Sequence, residues 1–400
     1  EMCIRDSTLP STSVESKVDL VRRTPFPPPT EVVVTNTNDS GEGSLREALA
    51  LVADDGTVTF APGLADQTIV LTSGQLAIDS SVTVDASAAA PVTISGNDAS
   101  RVVQVAAGAT VAMNDLVIRD GVAAPQGGGI LNNGDLSLER VVVTDNTENS
   151  AAPANFANGG GGIYNGDGAT LNLTDSTVSD NATVAPPGGG VFGFVNSAIT
   201  VTRTTISGNV GGDVAGGLRT LGDLTVDNST ISGNTSTAWH GGALFATDGT
   251  VSIANSTIVG NNAPGGTAGG LMVATFGAPV DVSVANSIIA DNGSYNCQVE
   301  GGAAAVLTSL GGNVITTANP GVDPPPCNAV ASDRVVGSGG AGVDALADNG
   351  GPTLTHALLD GSPAVDAADS AVSPDVDQRG APRPDGDEDV GSFELGAAVP

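Results

Sequence analysis

Four groups of side chains in this chain have the types and spacing to do chemistry. The first is charged. Arg140, Asp175 and Arg203 share one column of a sequence repeat, and Asp180, Asp213, Asp223, Asp227, Asp248, Asp281 and Asp291 are scattered over nearby loops and turns. Two carboxylates roughly 5–9.5 Å apart can hydrolyse a glycosidic bond. Acids holding calcium beside an Arg base could instead cleave a polysaccharide by elimination, and Arg219 is a third Arg for such a groove. The plainer reading is an Arg140–Asp175–Arg203 ion-pair stack along the surface. The second group is Trp239-His240, just ahead of Gly241-Gly242. Such a pair could stack a sugar ring, or it could merely cover the end of a loop. Trp239, His240, Arg140, Asp175, Arg203 and Arg219 are therefore the candidate ligand contacts, and no residue is assigned as catalytic. The third group, Asp385, Asp387 and Asp389, alternates carboxylates as a calcium loop does, without the glycine and the terminal glutamate such a loop needs. Its plainer reading puts Asp389 and Glu394 against Arg379 or Arg383. The fourth is Cys297 and Cys327, which flank a loop ending in Pro324-Pro-Pro326. No CxxC or His spacing points to zinc, so a disulfide is expected, with two free thiols as the alternative.

Other chemistries lack their residues. There is no P-loop, no dinucleotide fingerprint and no defensible Ser/His/Asp arrangement. With 44 acidic against 13 basic residues the net charge is −31, and Lys17 is the only Lys. Such a surface repels nucleic acid and anionic lipid, whose phosphates need Lys and Arg clusters. No apolar run is long enough to cross a bilayer as a helix, so direct membrane insertion is not expected. High charge can mean disorder, but 40% hydrophobic residues in strict patterns argue otherwise for most of the chain.

The elements that must position these residues are repeats. Six copies of one eleven-residue phrase begin at Leu136, Leu171, Ile199, Leu224, Val251 and Val282, and end at Asn146, Asn181, Asn209, Asn234, Asn261 and Asn292. Each is apolar at its first, third and eighth positions. A glycine cluster followed by an apolar residue opens each rung, as in Gly160-Gly-Gly-Ile163. A phrase recurring at this interval means a solenoid, in which sequence columns become ladders. The terminal Asn column is expected at a bend, with amides bonding along the axis and Asn itself tolerating left-handed backbone. The column four residues earlier reads Val142, Thr177, Thr205, Thr230, Thr257 and Ile288, and the side face, lined with Thr, Asn, Asp and Gly loops, is the expected contact surface.

Residues 1–30 read as a disordered leader, with 1–7 foreign to the rest of the chain. A cap is expected over 31–60, where Ser44-Leu-Arg-Glu47 is a capping box and Leu45, Ala48, Leu49 and Val52 share one helical face. Rungs come next over 61–295, then a Cys-containing connector over 296–331 and a closing cap over 332–396. The fold expected is all-β: a single-stranded, right-handed parallel β-helix with a short N-terminal capping helix and an irregular β-rich C-terminal cap.

The glycine-cluster element followed by Ile-Ser-Gly-Asn resembles the repeats of polymorphic outer-membrane proteins. Val34 to Ala48 looks like the N-terminal cap of bacterial surface β-helix proteins marked by a Ser-Leu-Arg-Glu-Ala core. The tail, with Asp348 to Leu358, Gly361 to Asp366, Asp377-Gln-Arg-Gly380 and Asp389 to Glu394, is similar to the choice-of-anchor Q region. The resemblance implies a right-handed parallel β-helix that is exported to the extracellular space or the bacterial cell surface and often anchored there. No anchor follows Pro400, which reads as truncation.

The leading functional expectation is a non-catalytic exported rod, adhesin-like or glycan-contacting, whose partners are extracellular polysaccharide or host cell-surface glycan. The rival is a polysaccharide lyase or glycoside hydrolase working in a groove on the helix face. A third reading is a spacer that displays a missing anchor or domain. No resident cofactor is expected, calcium is the one candidate ion, and capped ends predict a monomer.

Overall fold

The computed structural model describes residues 27–151, 157–275, 277–293, 295–317, 326–384 and 386–400. The chain is all-β with very little helix, and winds as a right-handed parallel β-helix of about ten turns. Sheet 1 stacks eleven strands from Glu31–Val34 to Ala305–Gly311. Sheet 2 stacks eleven from Thr68–Val70 to Arg334–Gly337. Sheet 3 stacks nine from Leu76–Ile78 to Tyr295–Glu300, and a narrow sheet 4 stacks five two-residue strands from Val122–Ala123 to Thr235–Ser236. At ~4.8 Å per turn the coil is roughly 48 Å long.

Short strands with one or two inward residues force the core into columns. On sheet 2, Ile118, Val143, Val178, Ile206, Ile231, Ile258 and Ile289 are mutual register partners. All of them are fully buried. On sheet 1 the corresponding columns are Leu136, Leu171, Ile199, Leu224, Val251 and Val282, and Leu138, Leu173, Val201, Val226, Ile253 and Val284. Stacking alike side chains removes apolar area from water with no register ambiguity, because a slip of one residue would turn every column outward.

Two corners per turn carry the polar ladders. At the sheet 1–sheet 2 corner, Asp115, Arg140, Asp175, Arg203, Asn228, Asn255 and Asn286 all have left-handed backbone. The next residue in each later rung is Ser176, Thr204, Ser229, Ser256 or Ser287, and each of these hydroxyls accepts the backbone N–H of the rung before it. At the second corner the Asn column runs Asn146, Asn181, Asn209, Asn234, Asn261 and Asn292, every side chain bonded to the next. The left-handed residue there is not the Asn but the one before it: Asp145, Asp180, Gly208, Gly233, Gly260 and Asp291. That frees each Asn amide to turn inward. Beyond this corner the glycine clusters allow backbones to touch. A Cβ on Gly161 would lie 2.3 Å from the Ala182 carbonyl oxygen and 2.4 Å from that of Gly189.

The first end of the core is closed by the helix Leu45–Leu51, whose Leu45 and Ala48 are buried against the first strands. The Ser44 hydroxyl accepts the Glu47 amide, and the Glu47 carboxylate accepts the Gly43 amide. Asp39 ties this cap to the next turn by accepting from Arg46, Thr72 and Ser73. Burial pushes its carboxyl up, but the bonds from Ser73 and Arg46 outweigh burial and hold it down at about 2. A carboxyl depressed below its unfolded value of 3.8 contributes stability that is complete above that pH and fades as pH falls toward 2. Asp39→Asn is therefore expected to cost up to about 2 kcal/mol at pH 6. The gap between the two melting temperatures should shrink steadily from pH 4 to pH 2; a gap independent of pH would refute the assignment.

The other end is closed by the disulfide. Cys297 and Cys327 are bonded, with Cα atoms 5.0 Å apart. Cys297 continues the inward Leu244–Leu271 column of sheet 3, so the bridge lays Cys327 over the last turn of the core. The region beyond Gly337 does not simply cover that end. An antiparallel pair, Val343–Ala347 with Thr355–Leu358, leads into irregular chain laid along the outer face of sheet 2. Gln378, fully buried, donates to Thr205, Thr353 and the Leu354 carbonyl and accepts from Thr230. Ser392 bonds Thr257, and the amides of Asn228, Asn255 and Asn286 donate to the carbonyls of Val376, Val372 and Asp369. This lateral strap occupies the Thr and Asn columns that the repeat pattern offers as a contact surface for other molecules.

Candidate functional site

The middle residue of each sheet 3 strand points away from the core. In register these are Gln104, Leu131, Tyr164, Phe192, Arg219, Phe245, Met272 and Gln298. From Leu131 to Met272 the column is nevertheless buried: Leu131, Tyr164 and Phe192 pack with Phe194 and Leu221, and Phe245 and Met272 pack with Val214, Ala215 and Ala268. Tyr164 and Phe192 stack with centroids 5.2 Å apart, and Phe194 joins them. The Arg219 guanidinium lies 4.5 Å from the centre of the Phe245 ring. Past Phe245 the cover opens into a cleft of about 510 Å³, lined by Asp213, Trp239, His240, Phe245, Met272, Thr275 and Glu300 among others.

Stacked loops fix this cleft. The Trp239 amide donates to the Asp213 carbonyl, and the Ala215 amide to the His240 carbonyl. On the other side Gly265 and Gly266 pack on the Trp239 loop so closely that a Cβ would sit 2.4 Å from the Ala238 oxygen or 2.3 Å from the Trp239 oxygen. The Thr267 amide donates to His240 Nδ1 at 3.0 Å, so that nitrogen carries no proton and a neutral imidazole bears its hydrogen on Nε2. Trp239 remains 58% exposed, its ring edge-on to His240 at 6.1 Å.

The electrostatics are one-sided. Among the described residues, Asp213 and Glu300 line the cleft and no Lys or Arg does. Burial pushes the Asp213 carboxyl up, with Arg219 pulling it back. Arg219 is itself wholly buried. Burial presses its guanidinium down to about 9, against the pull of Asp248 and Asp213, so it stays charged at neutral pH. It donates to the carbonyls of Thr220 and Phe245 and to the Thr247 hydroxyl. Its Nε, like Asp248 Oδ1, has no hydrogen-bond partner among the described residues.

The structure thus joins two of the candidate contacts, Trp239 and His240, and separates the rest. Arg219 is a buried support beneath Phe245 with no surface to offer a ligand. Arg140, Asp175 and Arg203 lie at the sheet 1–sheet 2 corner. Arg203 pairs with Asp175 through two bonds of 2.7 and 2.9 Å. Arg140 does not reach Asp175 but turns back one rung to Asp115, at 2.8 Å through two nitrogens, and to Glu139. The three-residue stack is therefore two separate pairs, Arg140 half-exposed, each contributing about 0–1 kcal/mol.

Among the calcium candidates, Asp385 lies outside the described residues. Asp387 is exposed. Asp389 is buried, with its two oxygens taken by the amides of Asp366 and Leu395. Nearby, Arg383 pairs with Glu394 and Arg379 with Asp377. Among the described residues no cluster of three or more His, Cys, Asp or Glu is placed to hold a metal. Neither acid lining the cleft stands out in the sequence: Asp213 is one of many acids scattered over loops, and Glu300, the last residue of the sheet 3 strand Tyr295–Glu300, lies beyond the last copy of the repeated phrase.

No family model and no curated protein matches the chain. Among solved structures it is similar to a protein of Geobacillus virus E2, at 13% identity and TM-score 0.37 over 72% of this chain; it spans 61% of the viral protein. It is similar to the A-module of an Azotobacter vinelandii mannuronan C-5 epimerase, at 16% identity and TM-score 0.39, covering 78% of this chain and 89% of that one. It is also similar to a mannuronic acid specific polysaccharide family 6 lyase from human gut microbiota, at 10% identity and TM-score 0.27, covering 77% and 91%. Likeness at this distance concerns the fold alone.

Proposed function

We propose that this chain is a non-catalytic, glycan-contacting rod that seats a saccharide in the cleft beside Trp239. One observation carries the reading: a largely exposed indole stands at the mouth of a preformed cleft whose floor is Phe245 and Met272 and whose rim holds Asp213, Glu300 and His240. A pyranose offers the complementary surfaces, an apolar C–H face for the ring and hydroxyls for the carboxylates. The Cys297–Cys327 bridge supports an exported protein, since disulfides persist in oxidising compartments. A second reading, a glycoside hydrolase, is favoured by one fact: two carboxylates share the cleft, and burial raises one of them, Asp213.

One experiment separates the two. The purified protein is screened on a glycan array, and every binding polysaccharide is then incubated with it and assayed for new reducing ends or unsaturated products. Binding without product is the expected result. Trp239→Ala should weaken binding at least tenfold by calorimetry while leaving the melting temperature within a degree or two, since an exposed side chain supports little of the fold. Steady product release would replace the rod with the enzyme.

A further inference from the structure

The charge around the cleft says which saccharides it takes. Two carboxylates line it, Asp213 and Glu300, and among the described residues no Lys or Arg does; Arg219, whose charge reaches Asp213, is wholly buried against Phe245 and cannot bond a sugar carboxylate. The whole chain carries −31, so no distant positive field offsets them. A sugar carboxylate about 5 Å from either acid would meet a repulsion worth from several-fold to about a hundredfold in affinity, depending on how far water is expelled. Two of the other polar groups are already engaged: the Thr275 hydroxyl donates to the Ala278 carbonyl, and His240 Nδ1 is held by the Thr267 amide. That leaves the His240 Nε2–H and the Trp239 indole N–H as side-chain donors, but no Lys or Arg among the described lining residues to offset the two acids. An uncharged sugar meets no such obstacle. Its hydroxyls donate to the carboxylates, and charge-assisted bonds of that kind are the stronger ones.

We propose that the Trp239 cleft selects uncharged saccharides and rejects uronates, with Asp213 and Glu300 as the selecting groups. The proposal rests on the saccharide reading above. Trp239 is the only Trp in the chain, so selectively excited tryptophan fluorescence reports this cleft alone. The folded, full-length protein is titrated with mannan-, glucan- and xylan-derived oligosaccharides, with oligomannuronate and with glucosamine oligomers, in 20 mM and 500 mM NaCl. A neutral oligosaccharide is expected to bind at least tenfold tighter than oligomannuronate in low salt. That ratio should narrow in high salt and in the Asp213→Asn/Glu300→Gln double variant, whose sites are partly or fully exposed and tolerate the change. Equal or tighter binding of the uronate overturns the selection, as does a glucosamine oligomer outbinding every neutral sugar tenfold. A fluorescence signal that no saccharide moves sinks the saccharide reading itself, and the selection with it.

Discussion

Asn234→Ala is expected to destabilise the coil by about 3–5 kcal/mol. The Asn234 carboxamide is fully buried and makes four bonds. Its oxygen accepts from the Asn209 backbone at 3.0 Å and from the Asn209 side chain at 2.9 Å. Its nitrogen donates to the Ile206 carbonyl and to the Asn261 oxygen, both at 2.9 Å. Alanine leaves two donors of Asn209 and an acceptor on each of Ile206 and Asn261 without that partner, in a space that water cannot easily enter. Each orphaned buried group costs about 1–3 kcal/mol, discounted because the carbonyls keep a second bond. Aspartate should be no better than alanine. It keeps the acceptors but puts an unpaired charge against the oxygens of Ile206 and Asn261. The control is Asn172→Ala, an exposed Asn whose side chain has one hydrogen bond among the described residues, to Ser137 at 3.3 Å, expected to change stability by less than about 0.5 kcal/mol. Urea unfolding of the three proteins decides the matter. A melting temperature lowered by on the order of 5 °C in Asn234→Ala accompanies the expected loss in a chain of this size. Equal midpoints for Asn234→Ala and Asn172→Ala would mean that the amide ladder is decoration on a core held by apolar columns alone.

How much of this was legible in the sequence depends on the range of the interactions. Val178, Ile206, Ile231 and Ile258 could be read as one interior column, because a solenoid maps a fixed sequence phase to a fixed direction. The Asn column was legible for the same reason, although the left-handed turn belongs to Asp180, Gly208 and their equivalents, one residue earlier. Trp239 and His240 stood out by rarity and by their place ahead of a glycine pair. The outward sheet 3 column carries a sequence signal of its own: Tyr164, Phe192, Arg219, Phe245 and Met272 each directly follow the first large apolar residue after a glycine cluster. Periodicity marks that position as outward, but only loop cover decides whether it meets water, so Arg219 read as a surface cation when it is a buried one. The pairing of Arg140 with Asp115 rather than Asp175 hinges on which way a long side chain leans along the axis, a choice that column membership leaves open. The strap was least legible. Gln378 meets Thr205 across 173 residues, and no period in either segment names the other.

Ending the chain after Gly337 should therefore leave a coil that forms and then self-associates. Each turn contacts its neighbours through its own ladders, so removing a lateral segment does not unravel the stack. What changes is the outer face of sheet 2. Ile288, Ala290 and Val314 are fully buried there and Val259 nearly so, under Leu358, Ala364, Val390 and Phe393 of the strap. Bared together, they form a contiguous apolar stripe on a flat parallel sheet, a surface that associates with its own kind. The stripe is flanked by Thr205, Thr230, Thr257, Asn228, Asn255 and Asn286, whose side chains lose their strap partners but find water at little cost. Far-UV dichroism of the shortened chain should match the β-helix signal of the full one, while light scattering shows dimers or larger species at micromolar concentration and a hydrophobic dye binds several-fold more. A gentler variant isolates the strap's own hold. Gln378→Ala removes four buried hydrogen bonds at its centre and should cost about 2–4 kcal/mol. Faster hydrogen exchange should then appear over 341–396 and along the outer residues of sheet 2, with the Asn ladder as protected as before. A shortened chain that stays monomeric and dye-silent would show that the stripe is tolerable in water, and that the strap is an appendage rather than a cover. If Gln378→Ala instead speeds exchange throughout the Asn ladder, strap and coil unfold as one unit, and the lateral segment is part of what holds the turns together.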